Sequence, residues 1–184
     1  DERQLMDIRV LGTLGLTDED VAAVKALDGV SDARGGYSMD VLSWCEDSQK
    51  VFRVLADMGD KNRIDVTEGR MPEKTGECLI DAGTIKNHSF KIGDKITFES
   101  GDDSTLSDTL STDSFEVVGI GSSPEFITFT RGSTTIGDGE IDSFAVVTED
   151  SFTGDIYTKL DVWVDGAADE VCYTDGYTDK VSSV

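Results

Sequence analysis

LMDIRVLGTLGLTDEDVAAVKALDG, residues 5–29, holds a change of period that decides the fold. Met6, Ile8 and Val10 alternate with Asp7 and Arg9, the pattern of a strand with one buried face. Thr17 then stands where a helix needs an N-cap, and Asp18, Glu19 and Asp20 fill a first turn whose dipole favours negative charge. Val21, Val24 and Leu27 make one apolar stripe backed by Ala22, Ala23 and Ala26, and Gly29 stands where a glycine would end the helix. The spacing predicts a strand followed directly by an amphipathic helix.

Outward from this unit the chain turns extended. GGYSMDVLSW (35–44) and KVFRVLADM (50–58) are two strand-like runs around CEDSQ, and together they predict a long β-ribbon. Val51, Val54, Leu55 and Met58 also fit a helical period, so helix is the competing assignment for the second run. After Ile64 short strands and glycine-rich acidic turns follow closely: GRMPEKTGECLID (69–81), KIGDKITFES (91–100), SFEVVGIGSS (114–123), EFITFTR (125–131) and SFAVVTED (143–150). That texture predicts a small barrel or sandwich, with a short helix near AGTIKNHSF (82–90) and a mobile loop over GDDSTLSDTLSTDS (101–114). IYTKLDVWVDGA (156–167) returns as an alternating strand, and residues 170–184 start a helix.

The expected class is therefore α+β: a β-α-β layer with a long ribbon, formed by residues 1–66 and 143–169, into which a barrel-like β-rich subdomain, 67–142, is inserted.

The chain has 184 residues, with 16 basic and 38 acidic side chains and a formal charge of −22. Such a surface repels phosphate backbones and anionic lipid, so nucleic acid is not an expected partner. No apolar run approaches the roughly 18 residues of a membrane span. Cys45, Cys78 and Cys172 have no C-x-x-C spacing, and His88 is the single histidine, which argues against zinc. Free, buried thiols are expected, with one disulfide as the alternative.

Catalytic signatures fail one by one. In VVGIGSSPEF, Gly119 and Gly121 follow a strand, but Pro124 stands where a dinucleotide loop needs its third glycine. A serine hydrolase would have to use His88, and no G-x-S-x-G turn presents a serine. No catalytic residue and no cofactor is assigned. Asp102 with Asp103, and Asp138, Glu140 and Asp142 within GDGEID (137–142), offer oxygen ligands for calcium, although neither group follows the D-x-D-x-D-G loop. Phe126, Ile127 and Phe129 are the candidate partner contacts, with core packing as the competing role.

QLMDIRVLGTLGLTDEDV (4–21), LDGV (27–30) and GGYSMDVL (35–42), in that order, resemble the large extracytoplasmic domain of FtsX-like ABC transporter permeases, the MacB-like periplasmic core. EGRMPEKTGECLID, KIGDKITF, FEVVGI and YTKLDVWVDGA continue the likeness to about Asp169, and VCYTDGYTDKV resembles the start of a helix leading back toward the membrane or into a coiled coil. The resemblance implies a non-catalytic extracellular domain of a permease in the cell membrane. A cytoplasmic ATPase subunit would be its partner, and a second permease copy or an extracellular protein are further partners it allows. It also implies that Asp1 follows a first membrane helix. A stand-alone extracellular binding module for a peptide, lipid or cation is the alternative.

Overall fold

The computed structural model describes residues 3–85, 90–102, 104–126, 131–170 and 174–184. Strand β1 (Ile8–Leu16) runs into helix α1 (Asp18–Lys25) and on to β2 (Val30–Gly36). Thr17 and Asp20 form a reciprocal cap: the Asp20 N–H donates to the Thr17 hydroxyl at 3.4 Å, and the Thr17 N–H donates to Asp20 Oδ2 at 2.8 Å. The helix ends at Lys25, before Leu27, which is half exposed rather than part of the buried stripe. Gly29, at φ +88°, turns the chain into β2.

The partner of both β1 and β2 is β10 (Tyr157–Val164), antiparallel to each, in a three-stranded sheet ordered β1-β10-β2. Ile8 pairs with Val162 and Leu11 with Lys159; the register then shifts and resumes at Leu16 and Tyr157. One face packs Ile8, Leu16 and Val30 with helix residues Val21 and Val24 around Ala33, Leu160 and Val162. Alternation in β10 suggested a polar second face, yet Lys159, Asp161 and Trp163 are buried as well. Helix α3 (Asp175–Ser182) follows, capped by Thr174, whose side chain accepts from the Tyr177 N–H.

The remaining strands form a seven-stranded, nearly closed sheet: β3 (Ser38–Cys45), β4 (Ser48–Ala56), β5 (Asp65–Gly69), β6 (Glu77–Asp81), β7 (Lys95–Thr97), β8 (Ser114–Ser122) and β9 (Ser143–Val147), with the four-residue helix α2 (Ala82–Ile85) after β6. The order is β3-β4-β9-β6-β8-β5, and β7 shares the outer edge of β8 with β5. Leu42 and Glu99 exchange backbone hydrogen bonds at 2.9 and 2.8 Å, joining β3 to the chain just past β7 and bringing the sheet round on itself. Inside, Phe98 packs at a tilt between Phe52 and Phe115, with centroids 5.8 and 5.6 Å apart. Gly119 of β8 lies so close to β5 that a Cβ there would stand 2.0 Å from the Arg70 carbonyl oxygen.

The second run of the ribbon is strand, not helix: β4 buries Val51, Phe52, Val54, Leu55 and Ala56 on both faces and pairs in parallel with β9. Glu46 and Asp47 alone make the turn, Glu46 at φ 54°. The segment expected as a mobile loop is tied down through Leu110, which is 1% exposed and bridges to Phe152, because this one of its two leucines finds a buried slot. The chain divides into two units, Asp1–Tyr37 with Met58–Arg63 and Asp155–Val184, and Ser38–Asp57 with Ile64–Gly154. The ribbon thus belongs with the barrel strands, where its doubly apolar β4 finds cover.

Candidate functional site

The second face of the small sheet carries charge where an apolar layer would be expected. Arg9 of β1 forks onto Asp161 of β10, Nε to Oδ1 at 2.6 Å and a terminal nitrogen to Oδ2 at 2.9 Å. Lys159, two residues back on the same face, brings its ammonium to 3.1 Å from Oδ2, and Asn62 donates to that oxygen at 2.8 Å. The Asp161 side chain is fully buried and that of Lys159 is 2% exposed. Burial pushes the Asp161 carboxyl up, but the Arg9 fork and the Lys159 charge outweigh it and hold the group below its ordinary range.

Segment 58–63 supplies the lid of this cluster. Asn62, at φ 48°, accepts the Met6 N–H on its amide oxygen at 2.9 Å, linking the residues before β1 to β10 through one side chain. Arg34 of β2 bridges Asp32 at 3.0 Å and Asp60 at 2.7 Å and donates to the Met58 carbonyl at 3.2 Å. Lys61 lies 4.8 Å over the Trp163 ring, whose indole N–H donates to the Gln4 carbonyl at 2.8 Å. A cavity of about 290 Å³ adjoins, walled by Trp163, Tyr177, Asp7, Lys61 and Glu170. Its polar groups bond one another: the Tyr177 hydroxyl donates to Asp7 at 3.0 Å and Lys180 pairs with Glu170 at 3.1 Å.

Chemically, the cluster is suited to holding rather than reacting. Asp161 accepts from three side chains, and a multiply paired carboxylate makes a poor base. What the arrangement does is fasten β1, β10 and segment 58–63 to a single buried atom group. Lys-x-Asp on one face of an otherwise apolar strand was the signal in the sequence that could have pointed to it.

The residues singled out in the sequence fall elsewhere. Asp102 accepts from Ser100 at 2.9 Å and from the Ser104 N–H at 2.9 Å and hydroxyl, and the Ser104 contacts hold its carboxyl below the ordinary range. Asp138 accepts the Glu140 N–H at 3.3 Å, and Asp142 takes Lys50 at 3.1 Å and the Val51 N–H at 2.8 Å. Among the described residues no three His, Cys, Asp or Glu side chains are grouped to hold a metal ion. Phe126 stacks on buried Phe144 at 5.0 Å and packs against the cluster of Leu79, Phe144 and Val146. Ile127, Phe129, Asp103, His88 and Cys172 lie outside the described residues. Cys45 and Cys78 are free and buried, and burial pushes their thiols up to about 11 and about 12.

One further ion pair went unread in the sequence. Asp81, at the end of β6, is 1% exposed and lies 2.8 Å from an Arg131 terminal nitrogen, and burial raises its carboxyl above the usual range against the Gly83 N–H and Arg131.

No family model matches the chain, and no curated protein matches it in sequence. Solved structures do share its fold. The extracellular domain of the noncanonic ABC-type transporter YknZ from Gram-positive bacteria superposes with a TM-score of 0.53 at 14% identity, covering 85% of this chain and 77% of that one. The periplasmic region of MacB from Actinobacillus actinomycetemcomitans gives a TM-score of 0.48 at 10% identity over 93% of this chain and 72% of that one. A domain of a putative permease from Porphyromonas gingivalis gives 0.43 at 13% over 94% and 68%.

Proposed function

We propose that this chain is the extracellular domain of an ABC transporter permease subunit, non-catalytic itself, which relays movement and docks a partner. The observation that carries the relay is the Arg9 fork onto Asp161, completed by Lys159 and Asn62. A strand held to its neighbour by backbone bonds and by a buried charge cluster passes displacement on instead of absorbing it, because shifting β1 by one residue would break the fork and take the guanidinium away from the buried Asp161 carboxylate. The fold shared with the YknZ extracellular domain supports the permease setting. The energy source is a cytoplasmic ATPase subunit reached through the membrane part of the permease. No helix among the described residues is long and apolar enough to cross a membrane.

The test uses the full-length permease with its ATPase in proteoliposomes. Arg9→Met should change the rate of ATP hydrolysis by the complex while leaving nucleotide binding intact. An unchanged rate refutes the relay, and failure of the permease to co-purify with any ATPase refutes the permease setting.

A further inference from the structure

Strand β3 alternates inward Val41, Ser43 and Cys45 with outward Leu42 and Trp44. The outward face is covered at Leu42, where Val51, Ile136 and Ile141 form a small apolar cluster beneath the chain from Gly132 to Ile141. Covering stops there. Trp44, the next outward residue, is 58% exposed, the one aromatic ring more than half exposed among the described residues. An indole left in water on a rigid strand is a surface feature that the barrel's own packing does not require.

The surroundings of that ring are acidic, and they are assembled from separate parts of the chain. Glu46 and Asp47 form the turn directly after β3. Gln49, cross-strand partner of Trp44, reaches over to Glu99 at 3.5 Å, which places the Glu99 carboxylate on the same face. Ile136 packs on Gly101, where a Cβ would stand 2.5 Å from its Cδ1, and Gly137 lies against Leu42 and Val51. These contacts place Gly101 and Gly137 beside the Leu42 cluster. Lys50, the nearest base on β4, is committed to Asp142 at 3.1 Å.

We infer that the Trp44 face is a docking surface for an arginine-bearing segment of a partner protein. A guanidinium stacks flat on an indole while donating to carboxylates at its edge, and this face supplies both elements. Charge selects this occupant over the others. A second copy of the chain brings a formal −22 against −22, and an anionic lipid surface is repelled in the same way. The inference concerns the docking half of the proposed function, and its test needs neither membrane nor ATPase. A negative result in proteoliposomes therefore leaves it standing, and a negative peptide titration leaves the relay standing.

The probe is a synthetic decapeptide alternating arginine and serine, titrated into the chain with tryptophan emission and calorimetry as readouts. Trp163, 6% exposed, serves as the silent internal reference. The expected result is saturable binding that perturbs Trp44 emission, weakens with salt, and is weaker for the lysine–serine peptide and absent for the glutamate–serine peptide. Trp44→Ala should bind at least about tenfold more weakly with an unchanged melting temperature, as loss of an exposed anchor does. Glu99→Lys is a second variant expected to weaken it. Equal binding by wild type and Trp44→Ala, or no binding by wild type, overturns the inference. So does concentration-dependent dimerisation, or adhesion to phosphatidylcholine vesicles, that Trp44→Ala abolishes, since either assigns the ring to another occupant.

Discussion

Lys159 and Asp161 face the same way on β10, and the ammonium of one lies 3.1 Å from the fully buried carboxylate of the other. Arg9 also meets Asp161, so two positive charges converge on one buried carboxylate in the small unit. Such clusters contribute little net stability when compared with an apolar core, yet are costly to break on one side.

Removal of Asp161 and removal of Lys159 should therefore differ. Asp161→Asn removes the buried carboxylate on which Arg9, Lys159 and Asn62 converge and should cost on the order of 3–5 kcal/mol. Lys159→Met keeps the Arg9 fork and the Asn62 bond and should cost less than about 2 kcal/mol. Thermal melts followed by circular dichroism rank the two; the reverse order would show that the Lys159 ammonium, not the Asp161 carboxylate, is the centre of the cluster.

Glu77 of β6 predicts a pH dependence. Its carboxylate takes both Arg70 terminal nitrogens at 2.7 Å and the Glu73 N–H at 3.0 Å, which lower it from 4.5 to about 2. The folded protein thus holds this group deprotonated where the unfolded chain protonates it. Stability from Glu77 is complete above 4.5 and is lost as pH falls toward 2. The gap in melting temperature between wild type and Glu77→Gln should be full at pH 7, narrow below 4.5 and close near 2.

Gly119→Ala should damage the barrel, because the added methyl meets the Arg70 carbonyl at 2.0 Å and Leu79 Cδ1 at 3.1 Å. Backbone on backbone cannot be relieved by a rotamer change, so a loss of about 1–3 kcal/mol is expected, or roughly 3–10 °C in melting temperature. Hydrogen exchange should localise the loosening to β5 and β8.

Thr17→Ala removes the oxygen that accepts the Asp20 N–H and should cost about 1 kcal/mol, while Thr17→Ser should cost almost nothing. Both variants report on the small unit, since α1 packs Val21 and Val24 onto Leu160 and Val162.

Local chemistry carried most of what was legible in the sequence. The cap at Thr17, strands β1, β3, β4, β8 and β9 and the α+β class follow from period and turn residues, which act over a few positions. Long-range pairing was the part that did not show. Nothing in KVFRVLADM states that β4 will run parallel to β9, and its two apolar faces become meaningful only once a barrel surrounds it. The charge cluster was hidden for the same reason: Arg9, Asn62, Lys159 and Asp161 are ordinary polar residues on alternating strands until the sheet and segment 58–63 enclose them. Phe126 shows the opposite difficulty, an aromatic that looks available in sequence and is stacked on Phe144 in the fold.

Strand order sets a timetable as well as a shape. The barrel's last strand, β9, ends at Val147, whereas among the described residues β1 and β2 pair with β10, which begins at Tyr157. During vectorial synthesis β1 is made well before β10, so the barrel strands can all be paired before the small sheet begins. A chain terminated just before Asp155 would thus hold all its barrel strands while β1 and β2 lack the strand that both pair with, each an exposed template for aggregation.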